Sequence, residues 1–162
     1  MPERLPGTTS DMVKQLISRV KTFDSDGALS LFTDTPVYQL GNSEVLFDKA
    51  AMKKSEENLF SVVSAINHEI KMMWECGDVV LAEMDVTYWR RDGRVVTLPC
   101  ANIFRLEGDK FSELRIFMDV NPLFDPTIPV PDTASVFTAS KGKKLNPPNI
   151  MKKYLAEHPK GK

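Results

Sequence analysis

Cysteine and histidine are scarce in this 162-residue chain, with two of each. Cys76 and Cys100 are too few for a disulfide framework and read as buried thiols of a reducing compartment. His68 and His158 lie far apart and, with two separated cysteines, compose no metal site. A Ser-His-Asp triad lacks any Gly-x-Ser-x-Gly turn, and there is no glycine-rich phosphate loop. Chemistry without a cofactor or metal, or none at all, is therefore expected. Charge of one sign is also missing. Lys and Arg total 21 against 22 Asp and Glu, and the pI is about 6.1. No basic excess points to nucleic acid or an anionic membrane. No apolar run approaches the ~20 residues of a membrane span. "MPERLPGTTSDMV" lacks the apolar core of a signal peptide, and a cytoplasmic location is expected.

What is present suits one globular domain with a real core: 42% hydrophobic and 27% charged residues. Ser10 or Asp11 can cap a first helix carrying Met12, Val13, Leu16, Ile17 and Val20 at helical spacing. "FDSDGALSLF" predicts a short second helix capped by Asp24 or Ser25. "TPVYQL" predicts a strand that Pro36 confines to its start. A third helix is expected from Asp48 to Ala65, with Met52, Leu59, Val62 and Val63 on its apolar face. The period then changes to two. "HEIKMMWE", "DVVLAEMDVTYW", "RVVTLPCANIFRL" and "KFSELRIFMDV" are four strands joined by short turns that pair Gly with Asp. Helices followed by a meander predict an α+β fold, with helices on one face of a curved antiparallel sheet. The domain is expected to span residues 8–124. Residues 125–162, rich in Pro and Lys, are expected to form a C-terminal extension with a short helix around Asn149 to Ala156.

One strand poses the functional question. From Val80 one side reads Val80, Ala82, Met84, Val86, Tyr88; the other reads Leu81, Glu83, Asp85, Thr87. Glu83 and Asp85 share a face, roughly 7 Å apart at ~3.3 Å per residue. That face is either solvent or a cavity in which one carboxylate is forced to keep its proton.

The element order and the stretch "CANIFRLEGDKFSELRIFMDVNPLF" resemble the nuclear transport factor 2-like superfamily, and in particular its SnoaL-like domains. This is a cone-shaped α+β fold shared by polyketide cyclases, limonene epoxide hydrolase, ketosteroid isomerase and scytalone dehydratase. The resemblance implies a pocket between the concave sheet face and the helices, and a homodimer through the convex face. On this reading Val80 to Tyr88 supply the convex face, while Glu83 and Asp85 look into the cone. Against the limonene epoxide hydrolase pattern, the water-binding Tyr falls on Tyr38, its Asn partner on Leu40, the Arg-x-Asp motif on Glu83-Met84-Asp85 and the second Asp on Ile116. Two of the five positions keep their residue, so that particular water-activating network is not expected.

The expected catalytic residues are Asp85 as base, Glu83 as its acid partner and Tyr38 as hydroxyl donor. The structural alternative for the carboxylates is pairing with Arg94 or Arg105. Asn102 is a buried amide that either orients a ligand or ties the sheet to a helix. Arg115 is either an ion-pair partner or a substrate contact, and Asp119 a pocket carboxylate or a helix cap. Phe104 and Phe117 are core or pocket wall. The expected function is a small cofactor-independent enzyme that isomerises, cyclises or hydrolyses an apolar metabolite. The alternative is a non-catalytic module of the same fold that binds a hydrophobic ligand or a protein.

Overall fold

The computed structural model describes residues 8–130, and the expectations for the C-terminal helix and tail, with His158, lie outside them. Helices α1 (Thr8–Lys21) and α2 (Ser25–Leu29) precede strand β1 (Phe32–Leu40) and helix α3 (Lys49–Val62). Strands β2 (Val63–Cys76), β3 (Val79–Arg90), β4 (Val95–Glu107) and β5 (Lys110–Phe117) follow, then the turn-length helix α4 (Asn121–Phe124). The five strands form one open sheet ordered β1-β5-β4-β3-β2. β1 runs parallel to β5, and the other pairs are antiparallel. The α+β architecture is as the sequence predicts. Among the described residues no helix is long and apolar enough to cross a membrane.

Local chemistry explains the boundaries. Asp24 caps α2 by accepting from the Gly27 N–H at 2.9 Å. Asp48 caps α3 through the Ala51 N–H at 2.7 Å. α1 begins before Ser10, so Ser10 lies inside the helix, where its N–H and hydroxyl donate to Glu75 at the end of β2. β1 begins at Phe32, ahead of Pro36; its register with β5 shifts between Phe32 and Val37, around a proline with no N–H to give. α3 ends at Val62 without a glycine. Its last carbonyls accept instead from Arg91: the backbone N–H bonds Val62 and the guanidinium bonds Ser61 and Phe60. β2 therefore starts five residues before His68. Gly77, Gly93 and Gly108 hold positive φ in the three hairpin turns, as the Gly–Asp pairs predict.

α1 and α3 cover one face of the sheet, and that face carries the core. Val80, Ala82, Met84, Val86 and Tyr88 are at most 5% exposed, joined there by Leu98, Phe104, Phe111 and Leu114. The expectation for β3 is thus reversed: its apolar side points into the cone. Glu83 and Asp85 face outward with Leu81 and Trp89. The reason is energetic. Burying Val80, Met84 and Val86 under the helices gains ~1.5–3 kcal/mol each, whereas turning two carboxylates inward costs desolvation with no cation among the described residues there to repay it.

Candidate functional site

Between the sheet and the helices lies a cavity of about 100 Å³. α1 contributes Leu16, Ile17 and Val20; α3 contributes Met52, Glu56, Leu59 and Phe60. The sheet contributes Phe32, Tyr38, His68, Val86, Tyr88, Cys100, Asn102, Phe104 and Ile116, among others. One water needs ~10–15 Å³ by the same measure, so the space suits a small ring system. The wall is mostly apolar, with a few convergent polar groups. That is the make-up of a small-molecule site.

Each polar group reaches the cavity because its element turns an otherwise apolar face there. Glu56 sits four residues after Met52 and three before Leu59, within the apolar stripe of α3. His68 lies between Ile66 and Ile70 on the inward side of β2. Tyr38 is fixed by a pair of backbone bonds to Leu46, at 2.9 and 2.8 Å. Cys100 and Asn102 occupy alternate inward positions of β4, with the thiol 3.0 Å from Asn102 Oδ1. The Tyr88 hydroxyl is 3.5 Å from Met118 Sδ.

Among the described residues no Lys or Arg lines the cavity, so burial governs its electrostatics. Burial pushes the Glu56 carboxyl up to about 7; the Ser25 hydroxyl pulls it back and the Glu57 charge adds to the rise. Burial lowers His68 to about 4, which leaves a neutral imidazole. Burial also raises the Cys100 thiol to about 12. Tyr38 and Tyr88 are raised too, first by burial and then by the neighbouring Glu56 and Cys100 charges respectively. Two buried side-chain atoms have no protein partner among the described residues: Glu56 Oε2 and His68 Nδ1. The site near neutral pH is therefore uncharged apart from one carboxyl poised to give or take a proton.

Of the residues singled out in the sequence, Tyr38, Asn102 and Phe104 line this cavity. Five do not. Asp85 pairs on the outer face with Lys71 at 3.4 Å, and Glu83 is exposed. Arg115 is exposed and bonds Glu113, which also accepts from Arg105 at 3.0 Å. Asp119 accepts from the backbone and side chain of Asn121, fixing the entry to α4. Phe117 is 55% exposed on the outer face. The alternative left open in the sequence, pairing of Glu83 or Asp85 with Arg94 or Arg105, is not what forms: Asp85 pairs with Lys71, and Arg105 pairs with Glu113. Cys76 is exposed, contrary to expectation, while Cys100 is buried. Tyr38, Leu40 and Ile116, matched above to epoxide hydrolase positions, do line the cavity, but the inward residues of β3 beside them carry no carboxylate.

Glu56 and His68 were missed. The signal for Glu56 was a carboxylate at stripe spacing between Met52 and Leu59; for His68 it was a polar residue alternating with two isoleucines.

A family model described as a SnoaL-like domain matches residues 13–114. The fold is also similar to solved structures. An NTF2-like protein of unknown function from Burkholderia pseudomallei aligns with TM-score 0.66 at 10% identity, over 73% of this chain and 95% of its own. An LEH-like epoxide hydrolase of M. tuberculosis aligns with TM-score 0.62 at 15% identity, over 72% and 86%. A candidate SnoaL-like polyketide cyclase from Jannaschia sp. CCS1 aligns with TM-score 0.66 at 15% identity, over 76% and 95%. At such identities the likeness concerns fold alone. No curated protein sequence matches the chain.

Proposed function

The chain belongs to the SnoaL-like domain family, and on that footing we propose that it is a cofactor-independent acid–base enzyme acting on a small apolar metabolite, with Glu56 as the proton-transfer group. The observation that carries this reading is a carboxyl whose pKa is raised to about 7 and whose one buried oxygen has no partner among the described residues, facing a cavity that no described cation lines. A base whose pKa lies near the working pH balances ionised fraction against basicity. The ionised carboxylate takes a proton from the substrate carbon beside a carbonyl. Negative charge moves to the carbonyl oxygen, where the Tyr38 hydroxyl and the Asn102 amide donate to it. Returning the proton to another carbon completes an isomerisation; in a cyclisation the first carbon instead attacks a second carbonyl, and the Glu56 proton passes to the alkoxide so formed. Neutral donors suit this task, because they strengthen as charge develops without binding an anion in the ground state.

The test is proton exchange at the α-carbon of small cyclic ketones in D₂O, followed by NMR. Exchange above the buffer rate, rising with pH through about 7 and abolished in Glu56→Gln, supports the reading. Ketone binding without exchange in the unmodified protein reduces the cavity to a binding site and favours the non-catalytic module.

The same reading takes the protein as a homodimer paired through the outer face. Trp74, Leu81 and Ile103 align across β2, β3 and β4, and Met72, Glu83, Ala101 and Phe117 form the adjacent row. Met72, Trp74, Leu81 and Phe117 are 38–55% exposed, a contiguous apolar patch of the kind that marks an interface. A second copy meeting it about a two-fold axis brings like surface to like. Two free thiols suit a reducing compartment, and action in the cytoplasm is part of this proposal.

A further inference from the structure

Cys100 and Asn102 form a buried pair with a directional consequence. The thiol lies 3.0 Å from Asn102 Oδ1, and with a pKa near 12 it keeps its proton to donate. The amide oxygen is thereby engaged. Asn102 is only 7% exposed and lines the cavity. Among the described residues the thiol is the side-chain partner of this amide, and it takes the oxygen. With Oδ1 engaged, the N–H₂ is the part of the amide left to meet a ligand in the cavity that Asn102 lines. A neutral amide in an apolar pocket is costly unless it is paired.

We infer that Cys100 is a positioning residue that holds Asn102 with Nδ2 toward the ligand, and that the pair selects an uncharged ligand presenting a carbonyl-type acceptor oxygen at that point. This rests on the cavity being the ligand site, as proposed above, but not on Glu56 being a catalyst. An anionic ligand is disfavoured because no cation among the described residues lines the cavity, and a ligand without an acceptor leaves Nδ2 unpaired. Without the thiol the amide is free to rotate and present Oδ1, which repels the same acceptor.

Three size-matched probes separate the outcomes: cyclohexanone, cyclohexene and cyclohexanecarboxylate, titrated into the ¹⁵N-labelled full chain. Cyclohexanone should bind tightest and shift the Asn102 side-chain amide resonances. Cys100→Ala should weaken it about three- to tenfold, the worth of one buried neutral hydrogen bond. Cys100→Ser, which restores an O–H donor, should recover most of that loss, and Asn102→Leu should equalise cyclohexanone with cyclohexene. Equal binding of ketone and alkene with unmoved Asn102 resonances overturns the inference while leaving the cavity as a binding site. So does preferred binding of the carboxylate, or a Cys100→Ser variant as weak as Cys100→Ala. If none of the three binds, the cavity is not the ligand site, and the inference falls with the functional reading.

Discussion

The carboxyl of Glu56 and the imidazole of His68 enter one cavity from opposite layers, helix α3 and strand β2, and each keeps one buried atom without a partner among the described residues. Their protonation works in opposite senses. His68 takes its proton at about 6.5 when unfolded and only near 4 when folded. Its contribution is whole above pH 6.5 and is lost as pH falls from 6.5 to 4, up to ~3 kcal/mol. Glu56 is raised from 4.5 to about 7, so its contribution is present below pH 4.5 and is lost as pH rises through 7. Between pH 4.5 and 6.5 the two slopes offset. Melting temperatures across this window should fall more steeply toward acid in Glu56→Gln than in the unmodified protein. In His68→Gln they should rise toward acid. Parallel profiles for all three proteins would contradict the buried placement of both groups.

Activity should separate Glu56 from the other acids. Glu56→Gln keeps the shape and removes the base, so turnover of any substrate found should drop by roughly 10²–10⁴. Stability at pH 8 should hold or rise, because a neutral amide replaces a carboxylate held ionised in a low-dielectric wall. Glu83→Gln, on the exposed outer face, should leave turnover unchanged. A Glu83→Gln enzyme as impaired as Glu56→Gln would mean that the cavity is not where the chemistry occurs.

Elements were easier to read from the sequence than faces. The alternation along Val79 to Arg90 fixes which residues travel together, but period two is symmetric and does not say which side the helices cover. Asp85 looked like a site residue because its cation, Lys71, lies on the neighbouring strand at a bulge between Ile70 and Met72. Such a pairing has no sequence signature. Tyr38 and Asn102 were legible because each is a polar group inside an apolar strand. By the same logic Glu56 was visible in the stripe of α3, but a carboxylate on a helix blends into a surface rich in Lys and Glu.

Met84 and Asp85 give the direct test of face. Met84 is fully buried, so Met84→Asp puts an unpaired charge in the core and should cost more than ~3 kcal/mol, enough to unfold much of the protein. Asp85→Asn removes one partner of a largely buried ion pair on the outer face, keeps a polar group beside Lys71, and should cost about 1–2 kcal/mol with turnover intact. Denaturant melts of the two variants measure the contrast. Comparable losses would put the two residues in similar surroundings.

The outer face yields the last prediction. Trp74 and Phe117 are 46% and 55% exposed at opposite ends of two adjacent rows of side chains, with Leu81, Ile103 and Ala101 between them. An aromatic pair framing an apolar strip is what interfaces concentrate their binding energy on. Glu83 and Arg115 also lie on this strip, and in a two-fold pair the acid of one copy can meet the guanidinium of the other. Light scattering at micromolar concentration should therefore give twice the chain mass. Trp74→Arg and Phe117→Glu should each shift the protein to monomer with little loss of intrachain stability, since neither side chain belongs to the buried core. Glu83→Arg should weaken the dimer by setting like charges against Arg115, and adding Arg115→Ala should relieve that repulsion. A monomeric unmodified protein would leave the strip without this partner. A dimer indifferent to all four substitutions would place the interface on a different face of the molecule.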